Sequence, residues 1–284
     1  MDEPLVLIPG LMADARVFMP QLVGLGADRQ MQVALATKGE TVEQMSEAIL
    51  TGLPQKFALL GHGLGGDIAL DLIRRAPDRV TRVVLMATDP LSEPPQAAAA
   101  RETRIVAARS GRLAEAMREE LPLSAIVDAP WRDDIMALVQ DMALGLGEGV
   151  FLRQSRALQR RPDQQKTMRR VKLPVLVISG DSDTLVPMRR QEFTANLMPF
   201  GRLVVIEAAG HLAWRFLEDC QRKLNPGGWL VINQWGTDGG KPLGAALLRG
   251  LFHRHYWEIP VKEGNVILLI PASLEQTLDT QSVT

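Results

Sequence analysis

Six short stretches of this chain are apolar almost without interruption, and helix-like segments separate them. They are PLVLIPG (4–10), MQVALAT (31–37), KFALLGH (56–62), VTRVVLMAT (80–88), LPVLVISG (173–180) and GRLVVIEAAG (201–210). A strand with one wet face alternates apolar and polar residues; these runs do not, as expected when helices bury both faces of a strand. Between them, TVEQMSEAILTGL (41–53) and GGDIALDLIRRAP (65–77) carry apolar residues at helical spacing, and the second stops at Pro77. The alternation predicts an α/β fold, with a mostly parallel sheet covered by helices on both faces.

Residues 91–170 interrupt this pattern with PPQAAAARETRIVAARSGRLAEAMREEL and WRDDIMALVQDMALGLGEGVFLRQSRALQRR, which look helical and contain no convincing strand. A helical insertion between two core strands predicts a lid over the strand ends, where ligands bind in such sheets. The expected organisation is a core from 1–90, a helical lid from 91–170, the rest of the core from 171–224 and a C-terminal extension from 225–284.

Three stretches carry chemistry. In LLGHGLGGDIAL (59–70) an apolar run ends in a Gly-rich strand-to-helix corner with Gly63 at its apex. Next, GDSDTLVP sets Asp183 just past the run 173–180, and AAGHLAW sets His211 past the run 201–210. Asp181 competes as the acid, and Asp183 has a second reading as a cap for the helix beginning near Val186. Hydroxyl-based acyl transfer needs a nucleophile, a base, a group orienting the base and donors for the oxyanion. The chain order of corner, acid and histidine supplies all but the hydroxyl.

Over residues 4–214 these motifs resemble the α/β-hydrolase family, whose nucleophile elbow is G-x-S-x-G. The resemblance extends to IPGLMADARVF (8–18), similar to the family's oxyanion loop. It implies Asp183 as the triad acid, His211 as the general base, and the backbone N–H groups of Leu11 and Leu64 as the oxyanion hole. It also implies a serine where this chain has Gly63. His62 should point away from the pocket, and Ser182 lies on the acid's loop, so neither replaces the nucleophile. Three accounts remain open: a serine hydrolase that lost its serine, a non-catalytic relative that binds a small molecule or partner, and a different reaction run by Asp183, His211 and a water.

Composition narrows the partners. A net charge of −1 argues against a dedicated nucleic-acid or anionic-membrane binder. No apolar run reaches a bilayer span, and the opening MDEPLVLIPG lacks a basic n-region, so the expected location is cytoplasmic. The single cysteine, Cys220, and the scattered histidines 62, 211, 253 and 255 imply no metal site. No cofactor is expected, and the Met-, Ala- and Leu-rich lid points to an apolar small-molecule substrate.

The last 70 residues differ in kind. RFLEDCQRKL (215–224) fits the family's final helix, but LNPGGWLVINQW (224–235), PLGAALLRGLFHRH (242–255) and the hairpin YWEIPVKEGNVILLIPA (256–272) look foreign to it. Residues 216–272 resemble the second half of a spermidine-synthase-like class I methyltransferase fold. The cofactor-binding first half has no counterpart here, so methyl transfer is not expected. A join near Trp214 is expected to leave His211 poorly anchored, and unpaired strands there would invite self-association.

Overall fold

The computed structural model describes residues 3–26, 29–129, 132–207 and 209–212, and the backbone of three C-terminal strands, 229–235, 257–260 and 265–271. These fall into two units, one formed by residues 1–128 and 139–213 and the other by residues 129–138 and 214–284.

The first unit is built on a six-stranded sheet of β1 (Leu5–Ile8), β2 (Met31–Val33), β3 (Phe57–His62), β4 (Val80–Met86), β5 (Val175–Gly180) and β6 (Gly201–Ile206). The strand order is β2-β1-β3-β4-β5-β6, and every neighbouring pair is parallel. Successive residues of a strand face opposite sides of a sheet. Accordingly, Val6, Ile8, Phe57 and Leu59 join one buried cluster, while Leu5, Leu7, Ala58 and Leu60 join another on the opposite face. The apolar runs around β1 and β3 are continuous because both faces are covered. The outer strand β6 is the exception, since Val204 and Val205 are 47% and 43% exposed.

Core helices α1 (Met19–Leu25), α2 (Val42–Leu50) and α3 (Leu64–Arg75) connect the first four strands. Thr41 caps α2 by accepting the Gln44 N–H, the local reason that helix starts where it does. In α3 every residue from Leu64 to Ile73 is buried, including Asp67 and Asp71. Asp71 is matched by Ser46, Arg74 and Arg75. Asp67 has no such set.

The stretch expected to be helical holds α4 (Pro95–Arg109), α5 (Leu113–Glu120), α6 (Arg132–Leu146), α7 (Glu148–Gln159) and α8 (Gln165–Met168), with a 3₁₀ turn at Leu123–Ala125. Helix α9 (Met188–Leu197) lies between β5 and β6 in the chain. Among the described residues no single helix is long and apolar enough to cross a membrane.

In the second unit, β7 (Trp229–Trp235), β8 (Trp257–Pro260) and β9 (Asn265–Pro271) form an antiparallel sheet in the order β7-β9-β8. The two strands of the expected hairpin are present as the antiparallel pair β8 and β9, and residues 261–264 between them lie outside the described residues. The helices expected over 215–224 and 242–255 lie outside the described residues.

Candidate active site

The corner after β3 is a tight elbow. Gly63 has φ 51° and ψ −119°, a conformation that L-residues adopt only under strain. Its N–H donates to the Met86 carbonyl, and its own carbonyl accepts from Gly66 N–H. A Cβ placed on Gly63 would meet nothing nearer than Gly10 Cα at 3.8 Å. The apex therefore has room for a side chain, although its backbone favours glycine. Two residues on, a Cβ on Gly65 would stand 2.0 Å from the Ile8 carbonyl oxygen. The helix can lie this close to the end of β1 only because residue 65 has no side chain.

Gly63 opens on a cavity of about 440 Å³, with Leu11, Leu64, Asp67 and His211 also in its lining. This is the size of a small-molecule site. The non-glycine residues with positive φ among those described, Met12 at 52° and Ala87 at 46°, line it too. Unfavourable backbone geometry of this kind tends to gather at functional sites. Leu64 is the first residue of α3, so its N–H has no acceptor within the helix. The loop carrying Leu11 is fixed from a distance. Gln154 on α7, 3% exposed, accepts the Met12 N–H at 2.8 Å and donates to the Ala36 carbonyl at 2.9 Å. Gln154→Ala should destabilise the protein by about 1–3 kcal/mol, because it strands both backbone groups. Chemical denaturation would measure this.

Asp183 meets His211. Its Oδ2 accepts from Nδ1 at 3.0 Å, while its Oδ1 accepts the N–H groups of Leu185 and Val186 at 2.9 and 3.0 Å. The carboxylate thus both caps the turn leading to α9 and holds the histidine, one oxygen for each task. Since a carboxylate only accepts, Nδ1 carries the proton and Nε2 is left with its lone pair. Asp181, the competing acid, instead accepts from the Ser182 hydroxyl and the Ala209 N–H. Burial pushes the Asp183 carboxyl up, but the hydrogen bond and charge of His211 and the two backbone donors outweigh it and hold it below its usual range. A carboxyl lowered on folding stabilises the fold above its unfolded value, and that contribution fades as pH falls through the folded one. The stability difference between the parent and Asp183→Asn should therefore shrink in acid titrations as pH falls below about 3.8.

The loop of His211 is anchored by two backbone hydrogen bonds among the described residues. Its N–H donates to the Ala125 carbonyl at 2.8 Å, and Ser182 N–H donates to Ala209. These contacts tie the loop to the turn 123–125 and to the acid loop.

His62 also departs from expectation, since it lines the cavity instead of pointing away. Its ring centroid lies 5.1 Å from that of His211, and its Nε2 lies 3.2 Å from the His211 carbonyl oxygen. A carbonyl only accepts, so Nε2 carries the proton, and the buried Nδ1 has no partner among the described atoms. The ring fits because Gly10 leaves space: a Cβ there would stand 2.8 Å from Nδ1. Burial, and then the neighbouring His211, lower the His62 pKa to about 4, so the ring is neutral at pH 7. The strand-end position of His62 was visible in the sequence, but its direction was not.

Comparison with known proteins agrees with this geometry. Residues 30–215 match the family model described as serine aminopeptidase, S33. The chain is 32% identical over 232 residues to a pimeloyl-[acyl-carrier protein] methyl ester esterase of Aromatoleum aromaticum, covering 75% of this chain and 88% of the relative. Two solved structures share the fold. A thermophilic esterase from Thermogutta terrifontis aligns with a TM-score of 0.68 at 23% identity, covering 78% of this chain and 86% of its own. The enol-lactonase from Burkholderia xenovorans aligns with a TM-score of 0.66 at 21% identity, covering 78% and 88%. With the parallel sheet, the elbow and the family match in agreement, the chain belongs to the α/β-hydrolase family, in the branch described as serine aminopeptidase, S33.

Proposed function

We propose that the chain is an esterase-type hydrolase in which Gly63 occupies the nucleophile position, so that it binds an ester without attacking it efficiently. The observation that carries this reading is the open space at Gly63 beside an intact Asp183–His211 pair. In the complete reaction a hydroxyl at position 63 would attack the ester carbonyl and pass its proton to His211 Nε2. Asp183 would hold the imidazole by Nδ1, and the N–H groups of Leu11 and Leu64 would receive the oxyanion. The histidine would then protonate the leaving alcohol, and water would release the acid by the same route. With glycine at 63 the first bond cannot form.

The relatives support a substrate class. One is a methyl ester esterase, which makes methyl esters of acyl chains the first class to test. Residues 91–170 are read as the lid over this site, with their apolar side chains favouring an acyl chain. The reading of residues 225–284 as an added segment, with its methyltransferase-like helix, turn and strand, rests on the sequence. The test of function is Gly63→Ser assayed on short esters. A non-catalytic binder would instead gain stability with an ester but show no turnover in that variant.

A further inference from the structure

Asp67 is a buried acid of the cavity lining that the triad does not use. It lies on α3 in the turn that follows Gly63, about 6 Å along the helix axis from the apex. It is 2% exposed, and its Oδ1 has no hydrogen-bond partner among the described atoms. Three arginines of the lining stand beside carboxylates, although the buried Arg104 Nε makes no hydrogen bond among the described atoms. Arg101 pairs with Glu93 at 2.7 Å and Glu120 at 2.6 Å, and Arg104 pairs with Glu120 at 2.9 Å. Arg161 stands 3.9 Å from both Asp89 and Glu93. Glu119, also in the lining, is exposed. Each of the three guanidiniums has a carboxylate within 4 Å, and Asp67 is the buried carboxyl of the lining without an ion pair among the described residues.

We infer that Asp67 is a specificity residue whose protonated carboxyl donates a hydrogen bond to an uncharged acceptor, such as a ketone or amide carbonyl, on the chain of the bound ester. The inference rests on the hydrolase reading of the cavity. A buried donor or acceptor left unmade is costly, so the cavity is incomplete until a ligand supplies the acceptor. An anionic group would meet a lining in which Glu93, Glu120 and Asp89 already stand beside the three guanidiniums, and it would face an ionised Asp67 charge against charge. Protonation has a physical cause in the surroundings. Burial pushes the carboxyl up to about 7, with Asp89 and Glu93 adding to the rise and Arg161 opposing it.

The unmodified chain suits the test, because without a hydroxyl at 63 a bound ester is not consumed. Calorimetric titration with methyl heptanoate, methyl 6-oxoheptanoate and monomethyl heptanedioate at pH 6 and pH 8.5 separates the cases. The keto ester should bind about 5-fold tighter than methyl heptanoate at pH 6, the usual worth of one hydrogen bond. That advantage should vanish at pH 8.5, once Asp67 has ionised. In Asp67→Asn the amide N–H still donates, so the preference should persist at both pH values. In Asp67→Leu it should disappear while methyl heptanoate still binds. Should the leucine variant fail to fold, the pH response of the parent and its absence in Asp67→Asn decide the matter.

Equal binding of the keto and plain esters at pH 6, a preference surviving in Asp67→Leu, or strongest binding of the carboxylate would overturn the inference. Gly63→Ser keeps the two readings apart. Turnover of methyl heptanoate by that variant, with no keto preference, removes only the role of Asp67. Failure of all three esters to bind, together with no turnover by Gly63→Ser, removes both.

Discussion

Gly63→Ser should raise kcat/KM for short methyl or p-nitrophenyl esters by at least about 10³-fold over the parent chain. Loss of the nucleophile from a serine triad costs about 10⁶ in kcat, and what remains comes from binding and the oxyanion donors. Two requirements are visible in the structure: His211 is held through Nδ1 by Asp183 at 3.0 Å, and a Cβ at the apex would meet nothing nearer than 3.8 Å. The gain has a cost in stability. A serine at φ 51° must adopt a conformation worth about 1–3 kcal/mol of strain, so the active variant should melt below its parent. His211→Ala introduced into Gly63→Ser should return turnover to the parent level while leaving that strain in place. A folded Gly63→Ser protein with no esterase activity would count against the proposed function. Activity that persisted in the double variant would assign the proton transfer to another group.

Gly65→Ala should cost about 3 kcal/mol or more, at the upper end for overpacking a core. The added methyl would stand 2.0 Å from the Ile8 carbonyl oxygen and 2.8 Å from that of Pro9. Both obstacles are backbone at the end of β1, which is itself hydrogen-bonded between β2 and β3. Relief would mean pushing α3 off the sheet, and with it the elbow and Leu64. The contrast with position 63 is instructive, since two glycines two residues apart have opposite tolerances. One is open to a side chain with a strained backbone, and the other is closed by neighbouring main chain. Chemical denaturation of both variants would measure this, and a loss under about 1 kcal/mol for Gly65→Ala would mean that the helix and β1 can separate freely.

Periodicity settled much of this protein. Continuous apolar runs demanded strands covered on both faces, and the observed β1, β3, β4 and β5 lie inside those runs. The elbow, the acid loop and the histidine were legible because each is a local signature at a strand end. The unpaired Asp67 left a trace as well, an acidic residue on the otherwise apolar stripe of GGDIALDLIRR. Yet nothing local separates it from Asp71, which Ser46, Arg74 and Arg75 satisfy.

Other features depended on residues far apart in the chain. The family resemblance favoured Asp183 over Asp181, and in the folded structure it is the Asp183 carboxylate that reaches a ring 28 positions away. Folding turned His62 into the cavity against a carbonyl 149 positions on, and tied the loop of Met12 to Gln154 across 142. Local sequence determines periodicity, turns and caps, since those are energies of neighbouring residues. The direction of a side chain and the protonation of a buried acid are energies of the surroundings, which exist only once distant segments have packed.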